Sequence, residues 1–177
     1  MNTPHHPQSG WSLVEAMAAL TVLSITLGTA IPSFQTTVDR QRVLGAAGLL
    51  ESDLQLARSE AVLRQRNVRI SFRSESAGSC YVVHAGPAGA CTCSPAGAPV
   101  CAGGVQALRH AGFPQADGIR INSNTGSMTF GHVQGTVTPT GTVKVLGRDH
   151  SVHLITNVMG RVRACAAVGE GLVQPTC

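Results

Sequence analysis

Aromatic side chains are scarce in this chain, with one Trp, one Tyr and four Phe among 177 residues. Trp11 lies in an apolar run and Tyr81 stands alone, so a stacking platform for single-stranded nucleic acid is poorly supplied. Lysine is nearly absent: twelve of the thirteen basic residues are Arg, which favours planar, bidentate contacts with carboxylates or phosphates. Charge of either sign is sparse at 12%, and the net charge of +4 is only mildly basic. There is no H-E-x-x-H pair, no G-x-S-x-G elbow and no glycine-rich phosphate loop, and the seven His residues are scattered. These absences argue against a metal site, a nucleotide site and a hydrolytic triad, so the expectation is a non-enzymatic protein without a cofactor. What the chain does have is 20 glycines, 9 prolines and many aliphatic residues, a composition suited to a loop-rich domain built on strands.

One long apolar run stands near the start. From Trp11 to Ile31 the chain reads WSLVEAMAALTVLSITLGTAI, with Glu15 its only ionisable side chain. At about 1.5 Å per residue it spans roughly 30 Å, enough to cross a bilayer once. A secretory signal would place a basic segment before such a run and a small-residue cleavage site after it. Here the turn-like Gln8-Ser9-Gly10 comes first, so cleavage is expected before the helix. A carboxylate near the bilayer centre costs about 2.5–3.5 kcal/mol, so Glu15 calls for a partner cation. A cut after Gly10 would create one, the amine of Trp11, four residues away.

Gly10-Trp11-Ser12-Leu13-Val14-Glu15 resembles the cleavage motif of type IV pilins and pseudopilins, with Trp11 where Phe is usual and no Lys or Arg in the leader. The resemblance implies that a prepilin peptidase cuts after Gly10 and methylates Trp11. It also implies that Glu15 serves assembly by pairing with the N-terminal amine of a neighbouring subunit. The plainer alternative is a signal anchor that tolerates a Glu near its end.

Beyond Pro32, residues 35–65 place Val43, Ala47, Leu50, Leu54, Ala57 and Ala61 at steps of four and three, a narrow stripe on one helical face. The other positions carry Arg40, Arg42, Glu51, Asp53, Arg58, Glu60, Arg64 and Arg66, which are expected in water. The stretch Leu54 to Arg64, with Ala57-Arg58-Ser59-Glu60-Ala61 at its centre and Val68 to Phe72 after it, resembles the helix-to-strand junction of GspH/FimT proteins. No chemistry is assigned to Arg58 or Glu60.

Strands are expected at residues 67–73, 80–84, 118–122, 127–130, 141–146, 151–156 and 158–165, separated by Gly, Ser and Asn turns. They predict an antiparallel sheet packed on the long helix. Residues 85–104 are rich in small side chains and poor in apolar bulk, and read as a surface loop ordered only if its cysteines staple it. All six cysteines, Cys80, Cys91, Cys93, Cys101, Cys165 and Cys177, fall in this half, an even number suited to an oxidising compartment. Cys91-Thr92-Cys93 lacks paired C-x-x-C spacing, so disulfides are expected rather than metal. Cys165 and Cys177, separated by a Gly- and Pro-containing loop, are the first pair expected; the pairing of the other four stays open.

Gly160-Arg161-Val162-Arg163 follows the 151–156 strand across a turn, and in an extended segment the i, i+2 spacing puts both guanidinium groups on one face. Two adjacent forks can clamp phosphate without reading base sequence. This G-R-x-R, just before a Cys-bounded tail, resembles the DNA-binding motif of FimT-like minor pilins. The resemblance implies that Arg161 and Arg163, with Gly160 shaping the turn, contact double-stranded DNA, and Lys144 and Arg148 could extend the patch. The same residues also fit a final hairpin whose arginines pair with Glu170 or with fibre neighbours.

The expected fold is α+β and type IV pilin-like: residues 1–10 a leader peptide, 11–32 a transmembrane and assembly helix, 33–66 its amphipathic half, and 67–177 a β-rich, disulfide-bonded domain. The expected location is the bacterial inner membrane with the C-terminal domain in the periplasm, then a fibre. The partners implied are other pilins or pseudopilins, prepilin peptidase, an inner-membrane assembly platform, membrane lipid before assembly, and double-stranded DNA. The leading function is a minor pilin that primes a type IV pilus; the alternative is a structural pseudopilin of a type II secretion system without DNA contact.

Overall fold

The computed structural model describes residues 12–166 and 174–177, and for residues 27–33 the backbone alone. Gly10, Trp11 and Glu170 lie outside the described residues. The chain divides into two compact units, residues 1–37 and 38–177, with the boundary inside the first helix.

Helix α1 runs Leu13–Leu63. Its start is capped by Ser12, whose Oγ accepts the Glu15 N–H at 3.2 Å, the arrangement that a Ser-x-x-Glu sequence favours. Within the first unit Leu13, Val14, Met17, Leu20, Val22, Leu23 and Ile25 are all more than half exposed. Among the described residues no helix is long and apolar enough to cross a membrane. The expected crossing at residues 11–32 draws on Trp11 and on the side chains of residues 27–32, which lie outside the described ones.

In the second unit the helical stripe is buried as its spacing requires: Val43, Leu50, Leu54, Ala57 and Ala61 are fully inaccessible and Ala47 nearly so. The helix ends where the Arg66 N–H reaches the Ala61 carbonyl and the Gln65 N–H that of Val62, with Gln65 in the left-handed region at φ 51°. That closure feeds the chain into β1 (Val68–Glu75).

The strands that follow are β2 (Gly78–His84), β3 (Cys91–Ser94), β4 (Gly97–Cys101), β5 (Ala107–Pro114), β6 (Arg120–Ser123), β7 (Ser127–Phe130), β8 (Val137–Thr138), β9 (Gly141–Leu146), β10 (Ser151–Thr156) and β11 (Val162–Ala166). They form two antiparallel sheets and a ribbon: β5-β2-β1-β7-β8, β11-β10-β9-β6 and β3-β4. Val68, Ile70, Val143, Val145, Val152 and Leu154 alternate inward along their strands and share one core with the helical stripe. The Ser79 hydroxyl ties the sheets together by accepting the Ile121 N–H at 2.7 Å.

Four findings depart from the sequence reading. The sheet is two sheets. The stretch read as a surface loop holds the β3–β4 ribbon, and β5 and β8 were not foreseen; Cys91 and Cys93 cover Cys80 and Val82, so all of β2 is buried. The last strand begins at Val162 rather than residue 158, because the Asn157 N–H bonds to the Arg161 carbonyl and closes a turn first. Asp53, expected in water, is buried and accepts the Tyr81 hydroxyl at 2.7 Å, with Arg109 at 4.0 Å. Burial, and then the bond to Asp53 and its charge, push the Tyr81 phenol well above its ordinary range, so it stays a donor.

Three disulfides are present, Cys80–Cys93, Cys91–Cys101 and Cys165–Cys177. The first fastens the ribbon to β2, and the second joins facing residues of the ribbon. The third holds the tail along β11, where the Ala166 N–H donates to the Pro175 carbonyl and the Cys177 N–H to the Ala166 carbonyl.

Candidate nucleic-acid interface

The turn between β10 and β11 is built around Asn157. Its carbonyl accepts the Gly160 N–H at 2.9 Å and its side-chain Oδ1 accepts the Arg161 N–H at 3.0 Å. Gly160 sits at φ 70°, and a Cβ there would come within 2.4 Å of the Gly135 carbonyl oxygen, so only glycine fits. This turn projects Arg161 from its last position, and Arg163 is the second residue of β11, where it faces Ile155. Both are exposed. Both line one groove, together with Val162 between them.

That open groove, of about 930 Å³, runs between α1 and the β10–β11 turn. Helix α1 contributes Gln55, Arg58, Ser59 and Val62; Gln134, Asn157 and residues 160–163 complete it, and no lining residue is acidic. Arg58 was not singled out as a site residue by the sequence. Its stem occupies the space that side chains at Gly135 and Gly160 would fill: a Cβ on Gly135 would lie 2.9 Å from Arg58 Cγ, and one on Gly160 3.0 Å from its Cδ. The signal that could have marked it is its place beside buried Ala57, but the glycines that receive it lie about 80 and 100 residues away, invisible to any local pattern. Among the described residues the ion pairs are Arg64–Glu60, Arg73–Glu75 and Arg109–Asp53, and none involves Arg58, Arg161 or Arg163.

The other two residues expected in the patch stand apart from the groove. Lys144 is exposed on β9 opposite His153, on the same outward face of the sheet as Arg163 but two strands away. Arg148 lies in the β9–β10 turn, at the far end of β10 from Arg161, about 20 Å along six residues of strand. Its backbone N–H is held by Asp39 Oδ1 at 3.0 Å. His84 is buried, with Ser71 Oγ 3.5 Å from its Nε2; burial, and then the Arg69 charge, lower its pKa. Among the described residues no group of three or more His, Cys, Asp or Glu side chains is arranged to hold a metal ion.

A long N-terminal helix laid on antiparallel sheets defines the type IV pilin-like fold. Solved structures share it. The type IV minor pilin FimU of Pseudomonas aeruginosa superposes in two crystal forms with TM-scores of 0.55 and 0.52 at 22% identity, over 73% and 71% of this chain and 95% and 97% of that one. The minor pseudopilin EpsH from the type 2 secretion system of Vibrio cholerae gives a TM-score of 0.50 at 13% identity, over 70% of this chain and 96% of that one. At such identities the likeness is one of fold. Comparison with curated protein sequences gave no match.

The family described as type II transport protein GspH matches residues 46–160, and the chain belongs to that family. Its fold is the one seen in a minor pilin and in a minor pseudopilin. The match includes Arg58 and Gly160 and stops one residue before Arg161.

Proposed function

We propose that this chain is a minor pilin that primes a type IV pilus at or near its tip and holds double-stranded DNA by its phosphates for uptake. The observation that carries the DNA reading is the pairing of exposed Arg161 and Arg163 at a groove with no acidic lining. Arginine forks give charge-assisted bidentate bonds to phosphate oxygens and read no base, so binding is independent of sequence. The chain from Gln35 onward should retard duplex DNA of any sequence in a gel shift, and salt should weaken it steeply. Arg161→Gln/Arg163→Gln should lower the slope of log affinity against log salt by about two, at about 0.9 per lost phosphate contact. If neither protein binds even at low salt, the second reading takes over: a structural pseudopilin of a type II secretion fibre. The name of the matching family and the likeness to EpsH favour that reading.

Under either reading the N-terminus acts as an export and assembly device. A prepilin peptidase cuts after Gly10 and methylates Trp11, the helix rests in the bacterial inner membrane with the C-terminal unit in the periplasm, and an assembly platform passes it into the fibre. Exposed Leu13, Met17, Leu20 and Leu23 give lipid, and later neighbouring helices, an apolar surface to cover. Glu15 meets the amine of a neighbouring subunit's first residue. Glu15→Ala should leave membrane insertion intact and reduce the amount of this subunit in sheared fibres by at least about tenfold, the loss expected for one ion pair in an apolar setting. Normal incorporation would leave Glu15 with only its place beside the Ser12 cap.

A further inference from the structure

We infer that Arg58 is a third phosphate-contacting residue of this groove, reaching in from helix α1 beside Arg161 and Arg163. The inference rests on the duplex-DNA reading of the site and adds to it a residue held in place before the ligand arrives. Two glycine backbones in the left-handed region, Gly135 at φ 65° and Gly160 at φ 70°, leave room for the Arg58 stem and pack against it. A side chain fixed in this way loses little freedom on binding, unlike the exposed Arg161 and Arg163. Its charge is also unspent. Glu60 pairs with Arg64 at 2.6 Å, Asp53 with Tyr81 and Arg109, and Glu51 accepts from the Gln55 amide at 3.5 Å, so the acids nearest Arg58 on α1 are engaged elsewhere. Gln55 and Asn157 bring side-chain amides to the same lining, and amide N–H groups can donate to phosphodiester oxygens.

The test uses the full-length chain in detergent micelles, with fluorescence anisotropy of a labelled duplex of arbitrary sequence across a salt series. Wild type is compared with Arg58→Met, which keeps the aliphatic stem against Gly135 and Gly160 without the charge, with Arg58→Lys, which keeps the charge, and with Arg161→Gln/Arg163→Gln. Arg58→Met should reduce the salt slope by about one and weaken binding by roughly tenfold at 0.1 M salt, while Arg58→Lys should keep the wild-type slope. The inference is overturned if Arg58→Met keeps the wild-type slope while the turn variant loses two contacts, or if Arg58→Lys falls as far as Arg58→Met, since the stem and not the charge would then matter. Absence of binding by wild type at any salt would instead overturn the DNA reading beneath it.

Discussion

Reduction of the three disulfides is expected to lower the stability of the chain from Gln35 onward by about 6–9 kcal/mol, out of the about 5–15 kcal/mol that holds an ordinary domain together. The bridges close loops with sequence separations of 13, 10 and 12, each contributing about 3 kcal/mol by restricting the unfolded chain. The native state depends on them locally as well. The β3–β4 ribbon offers β2 mostly cysteine and other small side chains, and its packing partners there are Cys80 and Val82. Without the Cys80–Cys93 link the ribbon has little apolar area with which to stay on the sheet, and β2 loses the cover that keeps both its faces dry. The expected readout is a fall of more than about 15 °C in the midpoint of thermal unfolding, followed by circular dichroism with and without reductant. Cys80→Ala/Cys93→Ala alone should account for about a third of it. An unchanged midpoint under full reduction would mean that packing alone holds the ribbon.

The same cysteines mark where the sequence stops being legible. The helical stripe from Val43 to Ala61 and the strands β7, β9 and β10 could be read to the residue, because helix and strand periodicity are local and the stripe contains no polar interruption. The ribbon could not, since Cys91, Cys93 and Cys101 gain their value as apolar bulk only once Cys80 lies beneath them. Asp53 looks like a surface charge until Tyr81, 28 residues later, arrives as its donor. The site divides in the same way. Arg161 and Arg163 are visible as a pair because i, i+2 spacing is a short-range rule, whereas Arg58 joins them through the glycines at 135 and 160. Arg148 has the right charge and lies near in sequence, but the length of β10 carries it to the wrong end of the sheet.

Asp39 was likewise silent in the sequence, and its loss should be costly. It stands at the second residue of the C-terminal unit, where α1 leaves that unit, and its two carboxylate oxygens accept the backbone N–H groups of Arg148 at 3.0 Å and Asp149 at 3.1 Å. The turn approaches so closely that a Cβ on Gly147 would fall 2.5 Å from Val43 Cγ2 and 2.7 Å from Asp39 itself. Asp39→Ala would strand those donors at the contact, and should cost about 2–4 kcal/mol by denaturant unfolding. Burial by itself would raise the Asp39 pKa, but the N–H groups of Arg148, Asp149 and His150, with the His150 charge, outweigh it and hold the carboxyl below its ordinary value. The sign of the pH effect follows. A carboxyl whose folded pKa is depressed contributes stability above its unfolded pKa, near 3.9, and that contribution is lost as the pH falls through the lower folded value. Asp39→Asn, which retains one acceptor oxygen and cannot ionise, should therefore be less stable than wild type at pH 6 and converge on it as the pH falls below about 4. A gap that stays constant through that range would show that the carboxylate charge contributes nothing and that shape alone joins the helix to the turn. Convergence would identify an ionised clamp between α1 and the β9–β10 turn within the C-terminal unit.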